Sequence, residues 1–187
     1  MDIQLFWEII EAAKAEAQDD LEARTDIIVN RLEGLDAEAI LAWQQIFNEY
    51  QSLSYKKKLW AAAYIINGGC SDDGFDYFRG WLTAQGRNVF LAALRDPDSL
   101  ADLCEAEEGE AECEDMLGAA SSAYLRKLNL DEDYDRFYED LEGHPLSDSD
   151  KAAMFAEIRY QADIDEDWRD DKELKNQLPR LCAKYDW

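Results

Sequence analysis

The sequence predicts an all-α fold: a single compact multi-helix domain around one buried central helix, with an acidic helical C-terminal extension. Three observations predict it. Apolar residues recur at i, i+3, i+4 and i+7 through most of the chain, the spacing of one helix face. No segment clearly alternates apolar and polar residues as a half-buried strand does. Only three prolines and nine glycines interrupt 187 residues, so long segments run without a helix breaker.

The first helix carries Ile3, Phe6, Trp7 and Ile10 on one face. The second has Leu21, Ile28, Leu32 and Leu35 as its stripe, with Gly34 near its end. Asp36 is placed to cap the third, whose Ile40, Trp43, Phe47 and Tyr50 share a face. A small basic spot, Lys56 to Lys58, precedes "LWAAAYII" from Leu59 to Ile66. That run is apolar all round. Between helical patterns it reads as the central buried helix, with a buried strand as the alternative. Asn67, Gly68 and Gly69 stop it, because glycine takes the left-handed conformation freely.

The densest stretch follows, "GGCSDDGFDYFRGW" from Gly68 to Trp81. Ser71 is a good N-cap whose hydroxyl can accept the amide of Gly74. Asp72 and Asp73 then fall in the first turn, where a carboxylate contributes roughly 0.3–1 kcal/mol against the helix dipole. Phe75, Phe78 and Leu82 share one face, widened by Tyr77 and Trp81. Asp72, Asp76, Arg79 and Thr83 share the opposite one, and Asp76 can pair with Arg79 at i, i+3. Gly74 and Gly80 lie inside this helix at a cost of about 1 kcal/mol each. Glycine there points to close approach of another backbone or of a ligand. Two readings compete. One is a capped amphipathic helix with its aromatics in the core. The other is a shallow polar site of Ser71, Asp72, Asp73, Asp76 and Arg79, walled by Tyr77 and Trp81. Its carboxylates would hold a hard cation or act as an acid/base pair.

Gly86 stops that helix, and Val89, Phe90, Ala93 and Leu94 mark a short one. In "RDPDSL", Asp96 is placed as a cap, Pro97 at the first helical position and Asp98 at the positive helix end. The run "EAEEGEAECED" from Glu105 to Asp115 reads as a solvated linker. A helix over about Met116 to Leu128 closes a core domain of residues 1–128. Residues 129–187 form an acidic helical region expected to pack on it. There Tyr134, Phe137, Tyr138 and Leu141 form a stripe, Gly143 and Pro145 end it, and a last long helix from near Ser147 carries Met154, Phe155, Ile158 and Ala162. The tail is weakly helical.

The chain has 43 acidic against 19 basic side chains, a net charge of -24. Such a surface repels phosphate backbones and anionic membranes, and it attracts cationic proteins. No stretch approaches the roughly 20 apolar residues of a membrane span. The start has no basic segment followed by an apolar one, as a signal peptide does. Cys70, Cys104, Cys113 and Cys182 show no CxxC spacing and read as reduced thiols in a cytoplasm. Asp131, Asp133, Asp135, Glu139 and Glu142 match a calcium-loop template except that Arg136 stands where glycine is demanded, so a helix is preferred there. His144, the only histidine, reads as an exposed loop residue. P-loop, dinucleotide-binding, GxSxG and HExxH patterns are absent, and no cofactor or metal is implied.

Phe6-Trp7, "LWAAAYIINGGCSDDGFDYFRGWL" from Leu59 to Leu82, "QGRNVF" from Gln85 and "DPDSLA" from Asp96 together resemble a bacterial family of uncharacterised proteins, domain of unknown function 4240. The resemblance spans roughly residues 1–128. It implies no activity. It marks Ser71, Asp72, Asp73, Gly74, Phe75, Phe78, Arg79 and Trp81 as the family's signature. The functional expectation is a non-catalytic acidic protein-binding module, of a regulator, inhibitor or immunity type, docking a basic partner. The alternative is a small-ligand or cation-binding protein, or an enzyme, using Asp72, Asp73, Asp76 and Arg79. A third reading is a purely structural helical domain.

Overall fold

The computed structural model describes residues 1–131, 133–158 and 171–187. Among them it contains α-helices and no strand. In chain order these are α1 (Ile3–Ala17), α2 (Leu21–Glu33), α3 (Ala37–Leu53), α4 (Lys57–Ile66), α5 (Asp72–Ala84), α6 (Arg87–Arg95), α7 (Leu100–Leu103), α8 (Asp115–Leu128), α9 (Tyr134–Glu142), α10 (Asp148–Ile158), α11 (Asp171–Gln177) and α12 (Pro179–Lys184). A 3-10 turn, Pro97–Ser99, leads into α7.

Side-chain oxygens start many of these helices. Asp2, Asp20, Asp36, Ser71 and Asp133 each accept the backbone amide three residues on, at 2.7–3.2 Å. Each such cap contributes about 0.5–2 kcal/mol. The stripes seen in the sequence then meet. Phe6 and Trp7 of α1 pack on Trp43 and Tyr50 of α3 at ring spacings of 5.0–5.6 Å, and Phe90 of α6 closes the cluster. The buried Trp7 indole donates to the Tyr50 hydroxyl at 3.0 Å. Burial pushes that hydroxyl up to about 12. α2 packs along both α1 and α8. α4 is helical, not a strand, and all its apolar positions except Trp60 and Tyr64 are buried. It ends as the glycines suggest, at Gly68 and Gly69 with φ of 67° and 144°.

The C-terminal segment is held by polar contacts to the core. The Asp98 carboxylate accepts the amides of Arg180 and Leu181 at 2.9–3.1 Å, capping α12. The Arg180 guanidinium also meets Asp96, Asp98 and Asp102. The Trp187 indole donates to the Ile65 carbonyl, and its ring lies 5.3 Å from Tyr64. α9 is tied to α3 through Gln45, whose amide donates to the Leu141 carbonyl.

Four local expectations change. Asp96 makes no cap hydrogen bond, and Asp98 serves a distant helix instead of its own. The acidic linker is solvated only in part: Ala111 and Cys113 are buried, with Ala111 and Asn67 exchanging two hydrogen bonds and Cys113 donating to the Tyr77 carbonyl. Of the α9 stripe, Phe137 and Leu141 are buried while Tyr134 and Tyr138 are exposed. On α10, Met154 and Ile158 are buried and Phe155 is exposed. Ala162 lies outside the described residues.

Candidate functional site

At the start of α5, the Ser71 hydroxyl accepts the Gly74 amide at 3.1 Å, as its position predicts. Asp72 and Asp73 are exposed first-turn carboxylates. Tyr77 turns toward the 105–114 loop and donates to Glu114 at 3.2 Å, whose charge raises the phenol's pKa. Trp81 is 5% exposed and borders a cleft of about 810 Å³ together with Lys14, Arg24 and Lys184. Asp76 and Arg79 line a different pocket. The lining of that pocket does not include Ser71, Asp72, Asp73, Tyr77 or Trp81.

Arg79 sits on what the helix pattern makes a polar face, yet it is only 5% exposed. Its guanidinium lies over the Tyr55 and Phe75 rings at 4.8 and 4.7 Å. Nε donates to the Phe75 carbonyl at 3.2 Å, Nη1 to the Gln51 carbonyl and Nη2 to the Asp76 carboxylate. Burial lowers the guanidinium's pKa and Asp76 opposes that. Stacking, carbonyls and one carboxylate thus hold a nearly enclosed charge that would otherwise be costly.

The glycines of α5 separate. A Cβ on Gly80 would stand 2.6 Å from the Cys113 carbonyl oxygen and 2.8 Å from Leu117, so the chain entering α8 passes directly over it. A Cβ on Gly74 would meet only side-chain atoms of Glu112 and Ser71 at 3.3 Å and of Cys70 at 3.8 Å. Gly80 is therefore explained by backbone approach.

Asp76 and Arg79 line a pocket of about 260 Å³ between α3, α5, α8 and α9. Its other polar lining is Gln44, Asn48, Gln51 and Ser121, with Tyr138 at its edge. Gln44 Oε1 and Gln51 Nε2, on two of these residues, are sealed from solvent and have no hydrogen-bond partner among the described residues. Sequence reasoning passed over these amides. The signal was present, since Gln44, Asn48 and Gln51 stand at i, i+4 and i+7 of α3 and so share a face.

The family model described as Protein of unknown function (DUF4240) matches residues 1–126. The chain belongs to this family. No curated protein and no solved structure matches it. The DUF4240 match takes in α1 to α7 and nearly all of α8, and it ends before α9. Three walls of the amide pocket are family structure and the fourth lies beyond the match.

α9 turns two kinds of face outward and inward. Inward, Phe137 packs on Tyr124 at 5.4 Å. Asp140 accepts from the Tyr124 hydroxyl at 2.6 Å and from Arg136 Nε at 2.5 Å, bonds that hold its carboxyl below the usual carboxylate range. Its carbonyl accepts from Nδ1–H of the exposed His144 at 2.7 Å. Outward, Tyr134 and Tyr138 are 46% and 58% exposed one turn apart. Asp135, Glu139 and Glu142 are exposed around them, without a hydrogen bond or ion pair among the described residues. Because α9 is a continuous helix capped by Asp133, the calcium-loop spacing does not close into a loop. Among the described residues no cluster of His, Cys, Asp or Glu could hold a metal ion, and no helix is long and apolar enough to cross a membrane. The thiols are free, and burial pushes Cys70 up to about 12 and Cys104 to about 11.

Proposed function

We propose that this protein is a non-catalytic module that docks a basic partner on the outward face of α9. The observation that carries this reading is the pair Tyr134 and Tyr138, standing in water beside Asp135, Glu139 and Glu142. Exposed tyrosine rings bordered by carboxylates suit arginine and lysine: the carboxylates attract the charge, and each ring adds a cation–π contact of about 0.5–1 kcal/mol. A net charge of -24 would speed the encounter with such a partner at low salt. The free thiols suit a reducing, cytoplasmic setting. The other reading, a ligand or cation site at the α5 start, finds support only at Asp76 and Arg79, since Ser71, Asp72 and Asp73 lie outside their pocket.

The test is retention of a partner from the native host on immobilised full-length protein, at low and at high salt. A basic protein should be held at low salt, released at high salt, and lost when Tyr134 and Tyr138 are both changed to serine. Retention by the double variant equal to wild type would remove α9 from the account.

A further inference from the structure

The cleft beside Trp81 keeps opposite charges apart. Its volume of about 810 Å³ lies within the usual range of small-molecule sites. Lys14 borders it from α1 and Lys184 from α12. The Lys14 ammonium donates to the Gln85 carbonyl at 2.7 Å, and that of Lys184 to the Ala101 and Cys104 carbonyls at 2.9 and 2.7 Å. Gln85 and Cys104 line the cleft too, and the charges of both lysines oppose the rise that burial gives the Cys104 thiol's pKa. Both ammoniums therefore stand close to Cys104. Glu105, Glu107 and Glu110, exposed on the loop between α7 and α8, border the same cleft. Among the described residues, no hydrogen bond or ion pair joins these carboxylates to either lysine.

The lining selects the chemistry of a guest. A simple anion would meet the loop carboxylates in a chain of net charge -24. A simple cation would meet the two ammoniums. Arg24 and Asp19 also line the cleft, but the Asp19 charge opposes the fall that burial gives the Arg24 pKa, so those two answer each other. A neutral guest would strip water from the remaining charges and return nothing. A guest carrying both signs satisfies both sets. An ammonium has three N–H donors, of which Lys14 uses one and Lys184 two, so each keeps a donor for a carboxylate. Leu21, Trp81 and Leu103 add apolar lining, and Leu103 is 46% exposed.

We propose that this cleft binds an amino-acid-type zwitterion with an apolar side chain, its carboxylate at Lys14 and Lys184 and its ammonium at the Glu105, Glu107 and Glu110 loop. The inference stands whether or not α9 docks a protein. A free amino acid and a short peptide with both ends unblocked present the same two groups.

The test is nitrogen-15 NMR of the full chain, following the signals of Trp81 and Cys104. The probes are leucine, the dipeptide Leu-Leu, and two forms of that dipeptide with one charge removed, N-acetylated and C-amidated. A zwitterion should shift both signals saturably, and each blocked form should bind at least about tenfold more weakly, as loss of a charge-assisted contact does. Saturation by leucine points to a free amino acid; saturation by the dipeptide alone points to a peptide. Lys14→Met should weaken binding by the same factor. If that variant does not fold, Glu105→Gln, Glu107→Gln and Glu110→Gln combined test the other charge with the same expectation, since those side chains are exposed. No saturable shift with either zwitterion, saturation felt only outside the cleft, equal binding of a blocked form, or unchanged affinity in a folded variant would overturn the proposal.

Discussion

Phe75, Phe78 and Trp81 of α5 are all buried, whereas two of the three aromatics of α9, Tyr134 and Tyr138, stand in water. Both helices begin on an oxygen cap, carry acid in the first turn and space their aromatics three and four residues apart. The difference lies in what covers them. α5 packs against α1, α2, α3, α4, α6 and α8, so even its arginine is enclosed. α9 packs chiefly on α3 and α8. Similar residues build a core where neighbours surround them and stand in water where neighbours cover one side.

The largest effect expected is on the enclosed helix. Phe75 stacks on Trp60 at 4.8 Å and is fully buried, so Phe75→Ala should cost about 3–5 kcal/mol in urea unfolding. A cost near that of a surface change would contradict the enclosed placement of α5. Gly80→Ala should come next, destabilising by about 1–3 kcal/mol because the Cys113 backbone cannot yield as a side chain can. A stabilised variant would mean that α8 does not pass so close.

A pH-dependent effect belongs to the inward side of α9. Hydrogen bonds from Arg136 and Tyr124 depress the Asp140 pKa in the folded chain. Their contribution is therefore present above the unfolded carboxylate pKa, about 3.9, and is lost as pH falls through the depressed value. Asp140→Asn should accordingly lower stability more at about pH 6 than at about pH 2, as urea unfolding would read. An equal difference at both would detach Asp140 from those partners. The smallest stability effects should be Gly74→Ala and Tyr138→Ala, each within about 0.5 kcal/mol of wild type. A loss above about 2 kcal/mol in Tyr138→Ala would make that ring part of the core and erase the contrast.

Much of the fold was legible because helix stripes are local. The aromatic faces of α1 and α3, the Ser71 cap and the apolar run of α4 needed nothing beyond their own turns. What escaped depends on distant chain. Asp98 reads as a charge for its own turn, yet it caps α12, 83 residues on at Leu181. Arg79 reads as solvent-facing because a helical wheel gives an angle and not the neighbour standing there; Tyr55, Gln51 and Asp76 enclose it. Tyr134 and Tyr138 read as core for the same reason in reverse. At the candidate site, periodicity marked Asp76 and Arg79 as partners, while the amides of α3 that complete their pocket carried a readable spacing but no charge to draw notice.

Crosslinking separates a basic partner on the water-facing side of α9 from one at the start of α5. A photo-crosslinking residue is placed at Tyr138 in one variant and at Asp73 in another, each exposed to the native host's proteins. The account predicts a salt-sensitive adduct with a basic protein from position 138 and none from position 73. An adduct from 73 with none from 138 would contradict it.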